Sequence, residues 1–307
     1  MSKRKQQSED KAITNSSGNA HVEEDSGDSD EDFETLDVDF EWFDPSPEID
    51  FHGIKSLLNQ LFDIDAVNLN ISALTDLILS QPTLGSTVKV DGQETDAYAF
   101  LSVINLHTHT TADGSKPFVA ELASYLRSRS ASNTQLSTLT TLLSQTPLPK
   151  IGLILTDRLI NCPAEVAPPM YAFLPEEIAW AVQEGEPYEF THYLIVSKTY
   201  TEIASQLDNG EDERPKKKKK QKGGSGGSGG GAFETMYFHP EDEVFERYAL
   251  CAGGYEYATQ RDEGTSDSKR AFQEMGIRPM GRLILIEAGK FTEAVAAVGE
   301  FLKPLGA

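Results

Sequence analysis

Cysteine is nearly missing from this chain: Cys162 and Cys251 are the only two among 307 residues. That excludes a disulfide framework, and two isolated thiols among apolar neighbours read as buried side chains of a protein kept in reducing surroundings. Long apolar runs are missing too. None approaches the ~20 residues that cross a bilayer, and the opening MSKRKQQSED has no apolar stretch of the secretory kind. A soluble, intracellular protein with no membrane partner is expected, and the sequons at Asn15 and Asn70 are read as chance matches. Catalytic signatures are also absent. There is no G-x-S-x-G, no Walker loop and no H-E-x-x-H, and no Ser, Thr or Cys stands beside a His in a nucleophile's context. The expectation is a protein that is not an enzyme, with no catalytic residue and no cofactor.

One sign of charge is missing locally. From Glu23 to Asp50 there are fourteen carboxylates and neither Lys nor Arg, within a chain of net charge −22. So dense a run of like charge repels itself and does not fold alone; its use is to hold something cationic. The remainder is also acidic, with sixteen acids against eight bases over 51–207. Such a surface repels a phosphate backbone, so direct nucleic-acid binding is not expected, whereas a basic protein is attracted.

What is present reads as a mixture of strands and helices. Val38, Phe40 and Trp42 alternate with Asp37, Asp39 and Glu41, a period-two strand at the end of the acidic arm. Asp50 is placed as N-cap of a helix over FHGIKSLLNQLF, whose Phe51, Ile54, Leu57, Leu58 and Leu61 form one stripe. Ser72 is placed as cap of ALTDLILS. GSTVKV (85–90), AYAFLSVINLHTH (97–109), IGLILTDR (151–158), FTHYLIVSKTYTEI (190–203) and GRLILIEAGK (281–290) read as strands, with further strands near 234–238, 244–249 and 255–259. Helices are expected near 117–129, 134–145 and 175–184, the last beginning only after Pro168 and Pro169, and over FTEAVAAVGEFLK. The fold class is α/β (α+β mixed), with one central mixed sheet flanked by helices. Residues 1–36 are expected to be a disordered acidic arm, 37–207 with 232–307 one domain, and 208–231 a flexible basic and Gly/Ser-rich loop.

Candidate sites carry competing readings. Glu23, Glu24, Asp25, Asp28, Asp30, Glu31, Asp32 and Glu34 are the client-binding carboxylates, joined by Trp42. Trp42, with Phe40 and Phe43, is read either as a core anchor of the first strand or as an aromatic face meeting Arg or Lys. Lys216, Lys217, Lys218, Lys219, Lys220 and Lys222 make a nuclear import signal or a solvated linker, with Lys3-Arg4-Lys5 a weaker second candidate. His107 and His109 have no third ligand at a zinc spacing, so no metal is expected. Arg261 to Ser266 is loosely similar to the pyrophosphate loop of coenzyme A-dependent acetyltransferases. However, Ser266 stands where Gly or Ala is usual, and Asp262 and Glu263 would face an anion.

VDFEWFDPSPEIDFHGIKSLLNQLF, SALTDLILSQPTLGSTVKVDG, AYAFLSVINL, IGLILTDRLINCPAEVAPPMY, HYLIVSKTY and GRLILIEAGKF together resemble the BCCIP family, in its fungal branch. The glycine-serine tract departs from that family. The resemblance implies a fold similar to the GCN5-related acetyltransferase fold, without a catalytic residue to carry over. It further implies a nuclear adaptor, shuttling with the cytoplasm, that chaperones a basic large-subunit ribosomal protein of the universal L-fourteen class in ribosome biogenesis. Nuclear transport receptors and a phosphatidylinositol-phosphate kinase are the other implied partners. The alternatives left standing are a coenzyme A-dependent acyltransferase and a general histone-type acidic chaperone.

Overall fold

The computed structural model describes residues 38–81, 84–110, 115–202, 235–258 and 277–303. Eight strands form one sheet: β1 (Phe40–Phe43), β2 (Ser86–Val90), β3 (Ala99–Asn105), β4 (Ile151–Arg158), β5 (His192–Glu202), β6 (Thr235–Tyr237), β7 (Cys251–Tyr255) and β8 (Ile277–Glu287). The spatial order is β1-β2-β3-β4-β5-β8-β7, with β6 paired to β5 off that path. Every pairing is antiparallel except β4 with β5. The mixed α/β class is therefore as the sequence indicates. The long apolar strand near the C-terminus lies inside the sheet, opposite β5 over the full length of both.

Period two explains why both sheet faces are covered. Along β4, Leu153 and Leu155 face one side and Ile154 the other; β5 repeats this with Leu194 and Val196 against Ile195. The first face packs on α1 (Phe51–Phe62), α2 (Ile71–Leu79), α4 (Pro117–Ala131) and α5 (Ser137–Leu143), through Ile54, Leu57, Ile78, Leu126 and Leu139. The second packs on α6 (Ala167–Gln183), α7 (Glu241–Tyr248) and α8 (Ala288–Phe301), through Met170, Leu174, Phe245 and Phe291. Each buried Leu, Ile or Phe contributes about 1.5–3 kcal/mol of transfer free energy, so two filled faces account for three layers.

Several expectations are corrected. The apolar run from Ala97 ends as a strand at Asn105. Asn105 Oδ1 accepts the Thr108 N–H at 3.1 Å and opens a short helix, α3 (Leu106–Thr110), so His107 and His109 are helical. Pro168 and Pro169 lie in the first turn of α6, where a missing N–H costs nothing. The segment near 244–249 belongs to helix α7: Glu241, Asp242 and Glu243 suit its positive N-terminus and Arg247 its last turn. Asn70, not Ser72, caps α2 by accepting the Ala73 N–H.

Asp50 does stand at the start of α1, but its side chain caps nothing there. Instead Asp50 Oδ2 accepts the Ser46 N–H at 2.7 Å, and Asp50 Oδ1 lies 2.7 Å from Lys89 Nζ. Lys89 Nζ also donates to the Gln93 carbonyl at 2.7 Å, and both residues of the pair are fully buried. This pair ties the β1–α1 connection to β2.

Candidate functional site

The register places one end of the sheet on the page. Trp42 lies opposite Val88, Val88 opposite Ala99, and Ala99 opposite Arg158, so the start of β1 and the end of β4 share that end. β5 runs parallel to β4 and finishes there too. β8 begins there, beside the end of β7.

At this end the parallel strands part. β4 and β5 stay paired only from Ile151 with His192 to Leu155 with Val196. Beyond that β5 takes β6 as its neighbour, Thr199 opposite Tyr237. The chain then drops between the diverging strands as Phe238, His239 and the first turn of α7. Into this wedge the strands send Asp157, Arg158, Ser197 and Lys198, all buried. Lys198 Nζ lies 2.7 Å from Asp157 Oδ2, and His239 Nε2 lies 3.1 Å from Asp157 Oδ1. Arg158 meets Glu241 through both nitrogens, at 2.5 and 3.1 Å. Ser197 Oγ donates to Asp242 Oδ2. Gln60 Nε2, from the last turn of α1, donates to Asp157 Oδ2 at 3.1 Å and to the Arg158 carbonyl at 2.9 Å.

Burial opposes charge on every member, and the partners decide the outcome. For His239 burial pulls the pKa down, but the facing carboxylates of Asp157 and Glu241 outweigh it and lift it to about 9. For Asp157 burial pushes up, and the His239 hydrogen bond and the Lys198 ammonium hold it below its ordinary range. For Glu241 burial likewise pushes up, and His239 and Arg158 bring it down to about 2. Asp242 goes the other way: burial, helped by the adjacent Glu241, raises it to about 7 against the His239 charge. Lys198, Arg158 and His239 Nε2 are each met by a carboxylate, whereas His239 Nδ1 lies 3.7 Å from Glu241 Oε1 without a hydrogen bond. In open α/β sheets the crevice beyond the carboxyl ends of parallel strands is the usual ligand site; here Phe238, His239 and α7 fill it. What the cluster does is lock β4, β5 and α7 together.

No group of three or more His, Cys, Asp and Glu side chains placed to hold a metal occurs among the described residues. His107 uses Nδ1 on the Leu148 carbonyl. A cavity of about 360 Å³ lies at the opposite end of the sheet, lined in part by Asn105, His107, Lys150, Glu186 and Glu189. Lys150 is held there by Glu189 at 3.1 Å. Cys162 is buried, and burial pushes its thiol up to about 11 despite Arg158, which suits a packed side chain rather than a nucleophile.

The outer surface of the strand-parting end is apolar and acidic. Ile160, two residues past β4, is 93% exposed, and Val67, in the 3₁₀ turn after α1, is 79% exposed. Met236 and Phe238 are also exposed. Phe238 connects to Ile160's loop through a short relay: the Lys198 ammonium sits 5.5 Å from the Phe238 ring centroid and donates to the Gln60 carbonyl, and Gln60 bonds the Arg158 carbonyl. Asp39 just before β1, Glu41 on it, and Asp91, Glu94 and Asp96 in the turn between β2 and β3 are exposed at this end. Asp91 and Gly92 both have positive φ, which gives that turn its sharp reversal.

Of the residues singled out from the sequence, Trp42 is described. It is half-buried against the second core face, and its indole N–H donates to the Val166 carbonyl at 3.2 Å. Glu23 to Glu34, Lys216 to Lys222 and Arg261 to Ser266 lie outside the described residues. The acidic arm joins the sheet at the strand-parting end, because Val38, the first described residue, precedes β1 there. The buried cluster went unnoticed in the sequence. Its signal was Lys198 inside the apolar YLIVSKTY and Asp157-Arg158 closing IGLILTDR, since charges within a buried strand need partners.

The BCCIP family model matches residues 35–245. Protein bcp1 of Emericella nidulans is 58% identical over 276 residues, covering 90% of this chain and 91% of that one. Protein bcp1 of Schizosaccharomyces pombe is 49% identical over 271 residues, covering 88% and 91%. The crystal structure of BCP1 from Saccharomyces cerevisiae superposes with a TM-score of 0.56 at 25% identity, covering 90% of this chain and 93% of that one.

Proposed function

The chain belongs to the BCCIP family, and from that premise we propose that it is a non-catalytic acidic adaptor that binds and escorts a basic client. The family resemblance directs the reading to a large-subunit ribosomal protein of the universal L-fourteen class, carried between nucleus and cytoplasm during ribosome biogenesis. Nuclear transport receptors and a phosphatidylinositol-phosphate kinase complete the proposed partner set. The observation that supports this most is the run of fourteen carboxylates from Glu23 to Asp50 without a single cation, of which Asp50 is taken up by Lys89 inside the fold. One exposed ion pair contributes only about 0–1 kcal/mol; many together, with an apolar anchor, reach useful affinity and a fast, salt-sensitive association.

Deleting residues 23–34 tests it. Client affinity at about 50 mM salt should fall by about tenfold or more, and its dependence on salt should flatten. An affinity that is the same at low and high salt, with or without the arm, overturns the proposal. Competition between the ribosomal protein and histones separates a dedicated escort from a general histone-type chaperone. The Lys216–Lys220 run with Lys222 is proposed as the import signal, and alanine substitution there should leave the protein cytoplasmic. The coenzyme A-dependent alternative rests on Arg261 to Ser266; heat of binding with acetyl-coenzyme A in calorimetry would favour it.

A further inference from the structure

We infer that the strand-parting end of the sheet is itself a docking surface, and that its occupant is a cationic segment of the client carrying large apolar side chains. This rests on the basic-client reading above and says where on the folded body the client sits.

Two independent features coincide there. The first is apolar. An isoleucine that is 93% exposed and a valine that is 79% exposed contribute nothing to the core. Single exposed apolar residues are ordinary, whereas a group of them marks a partner site. Here they come from one end of the sheet: Ile160 lies two residues past β4, Met236 on β6 with Phe238 just after it, and Val67 in the turn after α1, whose Gln60 donates to the Arg158 carbonyl and accepts from Lys198. The second is electrostatic and selects the occupant. Asp39, Glu41, Asp91, Glu94 and Asp96 present carboxylates at this end. Among the described residues, most cations of the same region are turned inward or matched: Lys89 is tied to Asp50, Arg158 to Glu241 and Lys198 to Asp157, all buried, and the half-exposed Arg278 is paired with Glu256 at 2.8 Å. Among the described residues this end therefore exposes more unmatched carboxylates than cations, which disfavours an acidic or phosphate-bearing partner and attracts a basic one.

The arm supplies range and the surface supplies grip. Closely spaced carboxylates raise the encounter rate but each holds weakly. Apolar anchors at Ile160 and Met236, desolvated beneath a client side chain, slow dissociation.

The test uses the full-length chain and two synthetic 16-residue peptides of equal charge. One is rich in Lys and Arg with a central Leu-Phe pair; the other has Ser-Ser at that pair. Binding is followed by fluorescence anisotropy. The Leu-Phe peptide should bind the unaltered protein more tightly. The double substitution Ile160→Ser with Met236→Ser should weaken it about fivefold to tenfold while leaving the Ser-Ser peptide within about twofold. Leu250→Ser, at the opposite end of β7, is the control and should change neither. Equal affinity for the two peptides, or no effect of the double substitution, overturns the inference. So does a gain above about tenfold on removing residues 208–231, because the occupant would then be this chain's own lysine run. If deleting 23–34 weakens the true client while Ile160→Ser with Met236→Ser does not, the escort function stands and this surface is wrong. Ile160 is almost wholly solvated, so its variant folds; an unchanged urea midpoint verifies that.

Discussion

Replacing Lys89 by methionine isolates the energetics of the buried pair that fixes where β1 joins the fold. Lys89 and Asp50 are both fully buried and 2.7 Å apart. Removing the ammonium leaves a carboxylate without water and without a counter-charge. Breaking such a pair costs about 3–5 kcal/mol, a large part of the ~5–15 kcal/mol by which a domain is stable. With a urea m-value of about 3 kcal/mol/M, the midpoint should fall by about 1–1.7 M. The Coulomb part is recovered by also neutralising the partner. Asp50→Asn keeps an acceptor for the Ser46 N–H, so the double variant should regain most of the loss. It should stay about 1 kcal/mol short of the unaltered protein, for the lost Lys89 bond to the Gln93 carbonyl. Equilibrium urea titration followed by tryptophan fluorescence reads this, since Trp42 lies on β1 itself. A midpoint shift below about 0.3 M for Lys89→Met, or a double variant as weak as the single, would refute the reasoning.

His239, with a pKa lifted to about 9 between Asp157 and Glu241, stabilises the fold fully below the ordinary imidazole value. That contribution, about 3 kcal/mol, is lost as pH rises through 9, and Asp242, raised to about 7, adds to the decline on the same side. Urea midpoints should therefore fall from pH 6.5 to 9.5, and His239→Gln should flatten the fall; a rise with pH contradicts the assignment. Gly281 lies under Tyr255, and a Cβ there would sit 2.1 Å from its ring, so Gly281→Ala should lower stability by about 1–3 kcal/mol and Tyr255→Leu should relieve it in a double variant. Trp42→Phe keeps the ring packing and loses the bond to the Val166 carbonyl, a cost of about 1 kcal/mol in thermal melts.

The elements that could be read from sequence were those whose side chains state their surroundings. IGLILTDR is apolar at both parities, so both faces had to be covered, and β4 is covered on both. The stripe from Ile54 to Leu61 specified α1 in the same way. The misreadings have local causes. His107 and His109 follow an apolar strand without punctuation, and the helix there depends on the Asn105 side chain turning back to cap it. VFERYA alternates well enough to pass for a strand; what makes it helical is Pro240 and the run of acids before it. Pro168 and Pro169 read as breakers, yet they stand in the first turn of α6, where a proline suits the helix. The charged cluster was invisible because Glu241, Asp242 and Arg158 have the composition of a surface. Only the parting of β4 from β5, a property of the assembled sheet, brings them under cover.

The long pairing of β5 with β8 also sets a timetable for synthesis. β5 is finished at Glu202, but its partner begins only at Ile277, roughly 75 residues later. At about 5–20 residues per second, the emerging polypeptide holds one flank of β5 bare for about 4–15 s. A bare apolar strand edge is what neighbouring nascent chains on a polysome stick to. Slow codons between those two points should thus lower the yield of soluble product, and faster ones should raise it, with no change in the finished protein.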